Sequence, residues 1–97
     1  MIQSFRNNET EAVFNGRQTK AALKTCPAIL WKTAYRKLDQ LDSVIMIEEL
    51  RIPPGNRLEA LSGDREGQHS IRINNQYRIC FHWTPSGPEM VEIVDYH

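Results

Sequence analysis

Cysteine is scarce. The 97 residues hold two, Cys26 and Cys80, too few to staple a small fold, and a reducing compartment keeps such thiols free. Long apolar runs are missing: nothing approaches the roughly 18 residues that span a bilayer, so no membrane role is expected. The opening Met-Ile-Gln-Ser-Phe-Arg lacks the apolar centre of a secretion signal, which points to the cytoplasm. An excess of one charge is also missing. Twelve Lys and Arg balance twelve Asp and Glu, which excludes a general nucleic-acid coat of high pI while leaving room for a local basic site. Repeats and low-complexity tracts are absent. What is present, 40% hydrophobic and 25% charged residues, is the composition of an ordinary folded domain. The length suits a single domain over residues 1–97.

The charges are unevenly spread. Residues 1–48 carry seven basic and five acidic side chains, and residues 49–97 carry five and seven. All five basic residues of the second half are arginines: Arg51, Arg57, Arg65, Arg72 and Arg78. Arginine without lysine suits bidentate contacts to carboxylate or phosphate. The same residues also read as plain surface charge.

The first half reads as helical. Ile2–Phe5 suits a short strand. Asn8 with Glu11 resembles a capping box, opening a helix through Val13 and Phe14 that stops at Asn15-Gly16. Residues 16–25 read as a loop or frayed helix. Pro27 suits the first position of a second helix, in which Leu30, Ala34, Leu38 and Leu41 line one face, widened by Trp31 and Tyr35. Residues 43–50 read two ways: their β-branched residues suit a strand, while Ile47 with Leu50 and the cap-like Asp42-Ser43 favour a short helix.

The second half reads as strands. Arg57–Leu61 is short. Gln68–Ile73 alternates, with His69, Ile71 and Ile73 on one face and Ser70 and Arg72 on the other. Asn74-Asn75 makes a hairpin turn. Tyr77, Ile79, Phe81 and Trp83 then alternate with Arg78, Cys80 and His82. Pro85–Pro88 turns the chain again, and Met90–Tyr96 is the last strand. Helices first and a meander afterwards predict an α+β fold, with helices on one face of an antiparallel sheet.

Few residues carry obvious chemistry. His69, His82 and His97 show no metal-ligand spacing and no CxxC exists, so no metal and no cofactor are expected. Gly-rich phosphate loops and GxSxG are lacking too. The closing Val94-Asp95-Tyr96-His97 stands out. It reads either as a frayed end or as proton-handling side chains fixed by a strand, with a histidine suited to acid–base work near neutrality. Alternation puts Tyr96 on the face of Val94 and Glu92, and Arg78 on the polar-bearing face of its own strand. Were those faces the same, they would suit a phosphodiester, with Arg78 opposing charge that builds on phosphorus.

These residues resemble a HigB-type toxin of the RelE/ParE superfamily, from bacterial type II toxin–antitoxin modules. The resemblance rests on an ordered set: Met-Ile-Gln-Ser-Phe, Leu50 to Leu61, Gly63 to Gly67 with Ser70-Ile71, Tyr77 to Phe81, and Asp95-Tyr96-His97. It implies a microbial-RNase-like fold and metal-independent, ribosome-dependent mRNA cleavage, in which the RNA's own 2′-hydroxyl attacks. By position it implies Asp95, Tyr96 and His97 as catalytic residues and Arg78 as the clamp on the transition state. Arg51, Arg57, Arg65 and Arg72, with Lys20 and Lys24, would supply the RNA- and ribosome-binding face. The implied partner is a helix-turn-helix antitoxin, in a heterotetramer that reaches operator DNA through the antitoxin. Two positions depart from the pattern. Glu59 stands where some members have a catalytic histidine, and Ser62 where those members have a lysine. Glu59 is either a replacement base or a bystander, and both changes predict a weaker nuclease. Two other functions share this fold: ParE-like inhibition of DNA gyrase without catalysis, which the Asp95-Tyr96-His97 ending disfavours, and a regulatory toxin whose activity has decayed.

Overall fold

A computed structural model describes residues 1–96; His97 lies outside the described residues. Three helices, α1 (Asn8–Asn15), α2 (Lys20–Thr25) and α3 (Trp31–Ser43), precede four strands, β1 (Glu59–Ala60), β2 (His69–Arg72), β3 (Tyr77–Thr84) and β4 (Gly87–Asp95). The strands pair antiparallel in chain order, giving the predicted meander and α+β class.

The helix boundaries follow capping groups. The cap of α1 is Asn7, one residue before the predicted box. Its extended backbone lets Oδ1 accept from the Thr10 amide at 2.9 Å, the geometry an N-cap needs. Gly16 ends α1 at φ 73°, as predicted. Residues 20–25 form a regular helix where a loop or frayed helix was expected, because the Thr19 hydroxyl accepts from the Ala22 amide at 3.0 Å. Only Ala22 of that helix is buried, so its sequence carries almost no apolar stripe. Pro27 precedes a 3₁₀ turn at Ala28–Leu30, and α3 begins only at Trp31. The predicted stripe holds in part: Trp31, Ala34, Leu38 and Leu41 are buried, whereas Leu30 falls in the 3₁₀ turn and Tyr35 is 47% exposed. The short helix expected over 43–50 is a 3₁₀ turn, Ile47–Arg51. The Glu49 carboxylate accepts from the Ile45 and Met46 amides at 2.8 and 2.7 Å, and these bonds hold its pKa below the ordinary carboxylate range.

The sheet has two unlike faces. On one, Ile71, Ile73, Tyr77, Ile79, Phe81, Val91 and Ile93 pack with Ala12, Val13, Ala22, Trp31, Ala34, Leu38 and Leu41 into a single core. Registers Arg72↔Arg78, Ser70↔Cys80 and Arg78↔Val94 put the polar set on the other, because side chains directly opposite in an antiparallel pair share a face. The predicted strand Ile2–Phe5 reduces to a parallel bridge, Phe5↔Val91. It caps the β4 edge through Gln3 N–H to the Pro88 carbonyl at 2.7 Å and Arg6 N–H to the Val91 carbonyl at 2.9 Å. There β4 carries a register shift, with Met90 at φ 53°, a bulge that bends the strand. β4 starts at Gly87, earlier than predicted. Gly87 sits at φ 130° with the Met1 carbonyl so close that no Cβ would fit.

Candidate active site

Arg78 lies at the centre of the open sheet face. Alternation along β3 turns it away from Tyr77 and Ile79, as predicted, yet it is only 9% exposed. Burying a guanidinium without hydrogen bonds is costly, and the structure supplies them. Nε donates to the Ser70 hydroxyl and Nη2 to the Arg57 carbonyl, each at 2.7 Å. Ser70 is the diagonal cross-strand neighbour of Arg78, since Ser70 opposes Cys80 and Arg72 opposes Arg78. Arg57 adopts φ 47°, ψ 57°, a left-handed conformation that costs a non-glycine residue about 1–2 kcal/mol. That turn presents its carbonyl to Arg78. A further partner is an ion pair: Nη2 lies 3.7 Å from the half-exposed Glu59 carboxylate. Glu92 takes Arg65 at 3.2 Å and Arg6 at 3.8 Å.

Around Arg78 an open cavity of about 220 Å³ is lined by Arg57, Glu59, Arg72, Asn74, Asn75, Arg78 and Tyr96. Among the described residues, three arginines face one carboxylate. Arg72 and Arg78 are directly opposed across the β2–β3 pair, an arrangement of like charges that destabilises a sheet. Arg72 is held by the Asn74 carbonyl at 3.0 Å and by the Asn75 side chain. Tyr96 is fixed by its amide, which donates to the Gln76 carbonyl at 2.7 Å, and its partly exposed ring lines the cavity.

The structure therefore brings together Arg78, Glu59, Arg57, Arg72 and Tyr96. It leaves others apart. Asp95 opposes Tyr77 and accepts from Gln76 Nε2 at 3.0 Å, outside the cavity lining. Arg65 turns to Glu92 and Gln68. Arg51 is exposed at the end of the Ile47–Arg51 turn, Lys20 and Lys24 are exposed on α2, and Ser62 is exposed before the Gly63–Arg65 turn. None of these lines the cavity. His97, expected as an acid or base, lies outside the described residues. Sequence reasoning missed Ser70, Asn74 and Asn75. The available signal for Ser70 was a small hydroxyl two residues before Arg72 on the polar face of a strand.

The thiols stand aside. Both cysteines are buried and free. Burial pushes Cys26 up to about 11 and raises Cys80 as well, so neither offers a thiolate at neutral pH. Chemically, the cavity is a rigid cationic cradle. It can bind an anion, oppose charge that grows on it, and offer a phenol beside it.

Comparison with known proteins gives this cradle a context. The model for RelE-like toxins of type II toxin–antitoxin systems, HigB, matches residues 3–97. Toxin HigB-1 of Vibrio cholerae serotype O1 is 47% identical over 57 residues, which cover 59% of this chain and 60% of that protein. An uncharacterized protein of Haemophilus influenzae is 42% identical over 55 residues, 57% of this chain and 54% of that one. The matched segments thus span three fifths or less of these relatives' length. With a family match over nearly every residue and an α+β fold to suit it, the chain belongs to the HigB-like family of RelE-like toxins.

Proposed function

We propose that this chain is a toxin that cleaves mRNA on the ribosome, and that a helix-turn-helix antitoxin neutralises it. The observation that carries the reading is Arg78. Its guanidinium is buried, anchored on two sides and opposed in register by a second arginine. Like charges opposed in this way destabilise a sheet; the half-exposed Glu59 carboxylate reaches Arg78 at 3.7 Å, and a phosphodiester is the further anion a translation-directed toxin meets. The RNA's 2′-hydroxyl attacks the adjacent phosphorus and the 5′-oxygen leaves. Arg78 stabilises the charge that builds on the non-bridging oxygens. Tyr96 hydrogen-bonds the substrate, and His97 or Glu59 handles protons.

The position of Glu59 favours a reduced rate. Its carboxylate sits beside Arg78, where it competes with phosphate for the same guanidinium. Induced expression followed by primer extension on cellular mRNA tests the function. New 5′ ends inside codons, lost with Arg78→Ala and dependent on translation, are the expected result. DNA damage without such ends would instead indicate a gyrase inhibitor, and growth without either would indicate a decayed module.

A further inference from the structure

A second basic cleft lies outside the cavity just described. It opens between α3 and the segment at Pro53, with a volume of about 290 Å³, and is lined by Thr33, Arg36, Lys37, Gln40 and Pro53. Among the described residues, two cations and no carboxylate line it. The Lys37 ammonium is half-buried, and its side-chain partner is the amide oxygen of Asn56, a neutral group. Asn56 is itself fully buried. Its Nδ2 donates to the Gln40 side chain and to the Leu50 carbonyl, each at 3.0 Å. The ammonium is thus fixed in place without being neutralised. Desolvation, and then the charge of Arg36, lower the Lys37 pKa, as expected of a cation that lacks a counter-ion.

This cleft adjoins the first through a single short segment. Pro53 lines one and Arg57 the other, with the Pro54–Asn56 3₁₀ turn between them. Four residues span at most about 14 Å even when extended, so the backbone segments that border the two clefts lie within reach of one strand of nucleic acid. An ammonium held by an amide and flanked by a guanidinium is suited to a phosphate oxygen.

We propose that the cleft between α3 and Pro53 is a second phosphate-binding site, in which Arg36 and Lys37 hold a flanking phosphodiester of the single-stranded RNA whose reactive phosphate lies on Arg78. This rests on the RNA-cleaving reading in its choice of ligand. Through it, the protein would grip the strand at two points and fix the register of the reactive phosphate.

Binding of a 2′-O-methyl RNA octanucleotide, which cannot be cleaved, tests the site by fluorescence anisotropy over a series of salt concentrations. For a single strand, each phosphate that the protein no longer neutralises flattens the slope of log K against log salt by about 0.7. The double variant Arg36→Gln/Lys37→Gln should bind more weakly and with a flatter slope. Arg36→Gln alone, an exposed change that leaves the Lys37–Asn56 bond in place, should show part of the same weakening. Arg78→Ala, measured alongside, reports the first cleft. If Arg78→Ala changes neither this binding nor single-turnover cleavage of mRNA on programmed ribosomes while the Arg36 and Lys37 variants weaken binding, the second site stands and the RNA-cleaving reading fails. Unchanged affinity and slope in both Arg36 and Lys37 variants would overturn the proposal. So would unchanged RNA binding accompanied by weakened antitoxin binding, which would assign the cleft to a protein partner.

Discussion

The two faces of the sheet are built from alternate residues of the same strands, yet they obey opposite rules. On the helix side the central positions are apolar and closely packed: Ile71, Ile79, Phe81 and Val91 are fully buried. On the open side Arg72 and Arg78 face each other, and a left-handed arginine at position 57 completes the anchor. The first face stabilises the fold. The second gives up stability to hold cations close together and ready. Local strain and unfavourable charge pairing of this kind belong where a ligand is bound.

The largest way to break this contrast is in the core. Phe81→Ala should cost about 3–5 kcal/mol, read by urea denaturation, with toxicity lost because the fold is lost. On the open face the expected losses are of rate per folded molecule, beyond any loss of stability. Ser70→Ala removes the hydroxyl that orients the Arg78 guanidinium. A hydrogen bond to a charged group contributes about 1.5–3 kcal/mol, so cleavage should fall by about tenfold or more in kcat, with KM little changed. An equal loss in the Ser70→Ala variant's thermal stability and in its rate would mean that Ser70 acts only on the fold.

The alternation that separates the faces was legible in the sequence, and so was the apolar stripe of α3. Both follow from period-two and period-3.6 patterning of side chains that burial selects. The site was legible in part. Arg78 and Tyr96 were placed on the cavity face by counting along strands, and Glu59 joined them by the family pattern. Ser70 and the Arg57 carbonyl were not, because diagonal strand contacts and a main-chain carbonyl leave no residue-type signature. The helix Lys20–Thr25 read only as a loop or frayed helix for a related reason: one buried alanine makes no periodic signal, and the cap at Thr19 precedes no apolar run. The shift of the first cap from Asn8 to Asn7 turned on backbone geometry that two adjacent asparagines disguise.

A smaller effect distinguishes the roles of Glu59. With its carboxylate 3.7 Å from Arg78, Glu59→Gln should leave cleavage unchanged or raise it severalfold, because repulsion of the RNA phosphate is relieved. A loss of about 100-fold would make Glu59 the general base, and single-turnover rates at two pH values separate these outcomes. The smallest effect lies far from the site. The pKa of Glu49 is depressed in the fold, first by the Met46 amide and then by that of Ile45. The stability it adds is present above its unfolded value of about 4.5 and is lost as pH falls through the lower folded value. Glu49→Gln should therefore lower the melting temperature slightly at neutral pH and hardly at all in acid, as read by circular dichroism.

The central claim is that the anchored guanidinium of Arg78 does chemistry on a phosphodiester. Single-turnover cleavage of mRNA on programmed ribosomes, with wild type, Arg78→Ala and Arg78→Lys compared at matched folded concentration, tests it directly. Loss of one such donor to a developing oxyanion costs about 10²–10³-fold. The account predicts a loss of that size for alanine and incomplete rescue by lysine, whose point charge cannot reproduce the guanidinium fork. A folded Arg78→Ala protein that cleaves at the wild-type rate would contradict it.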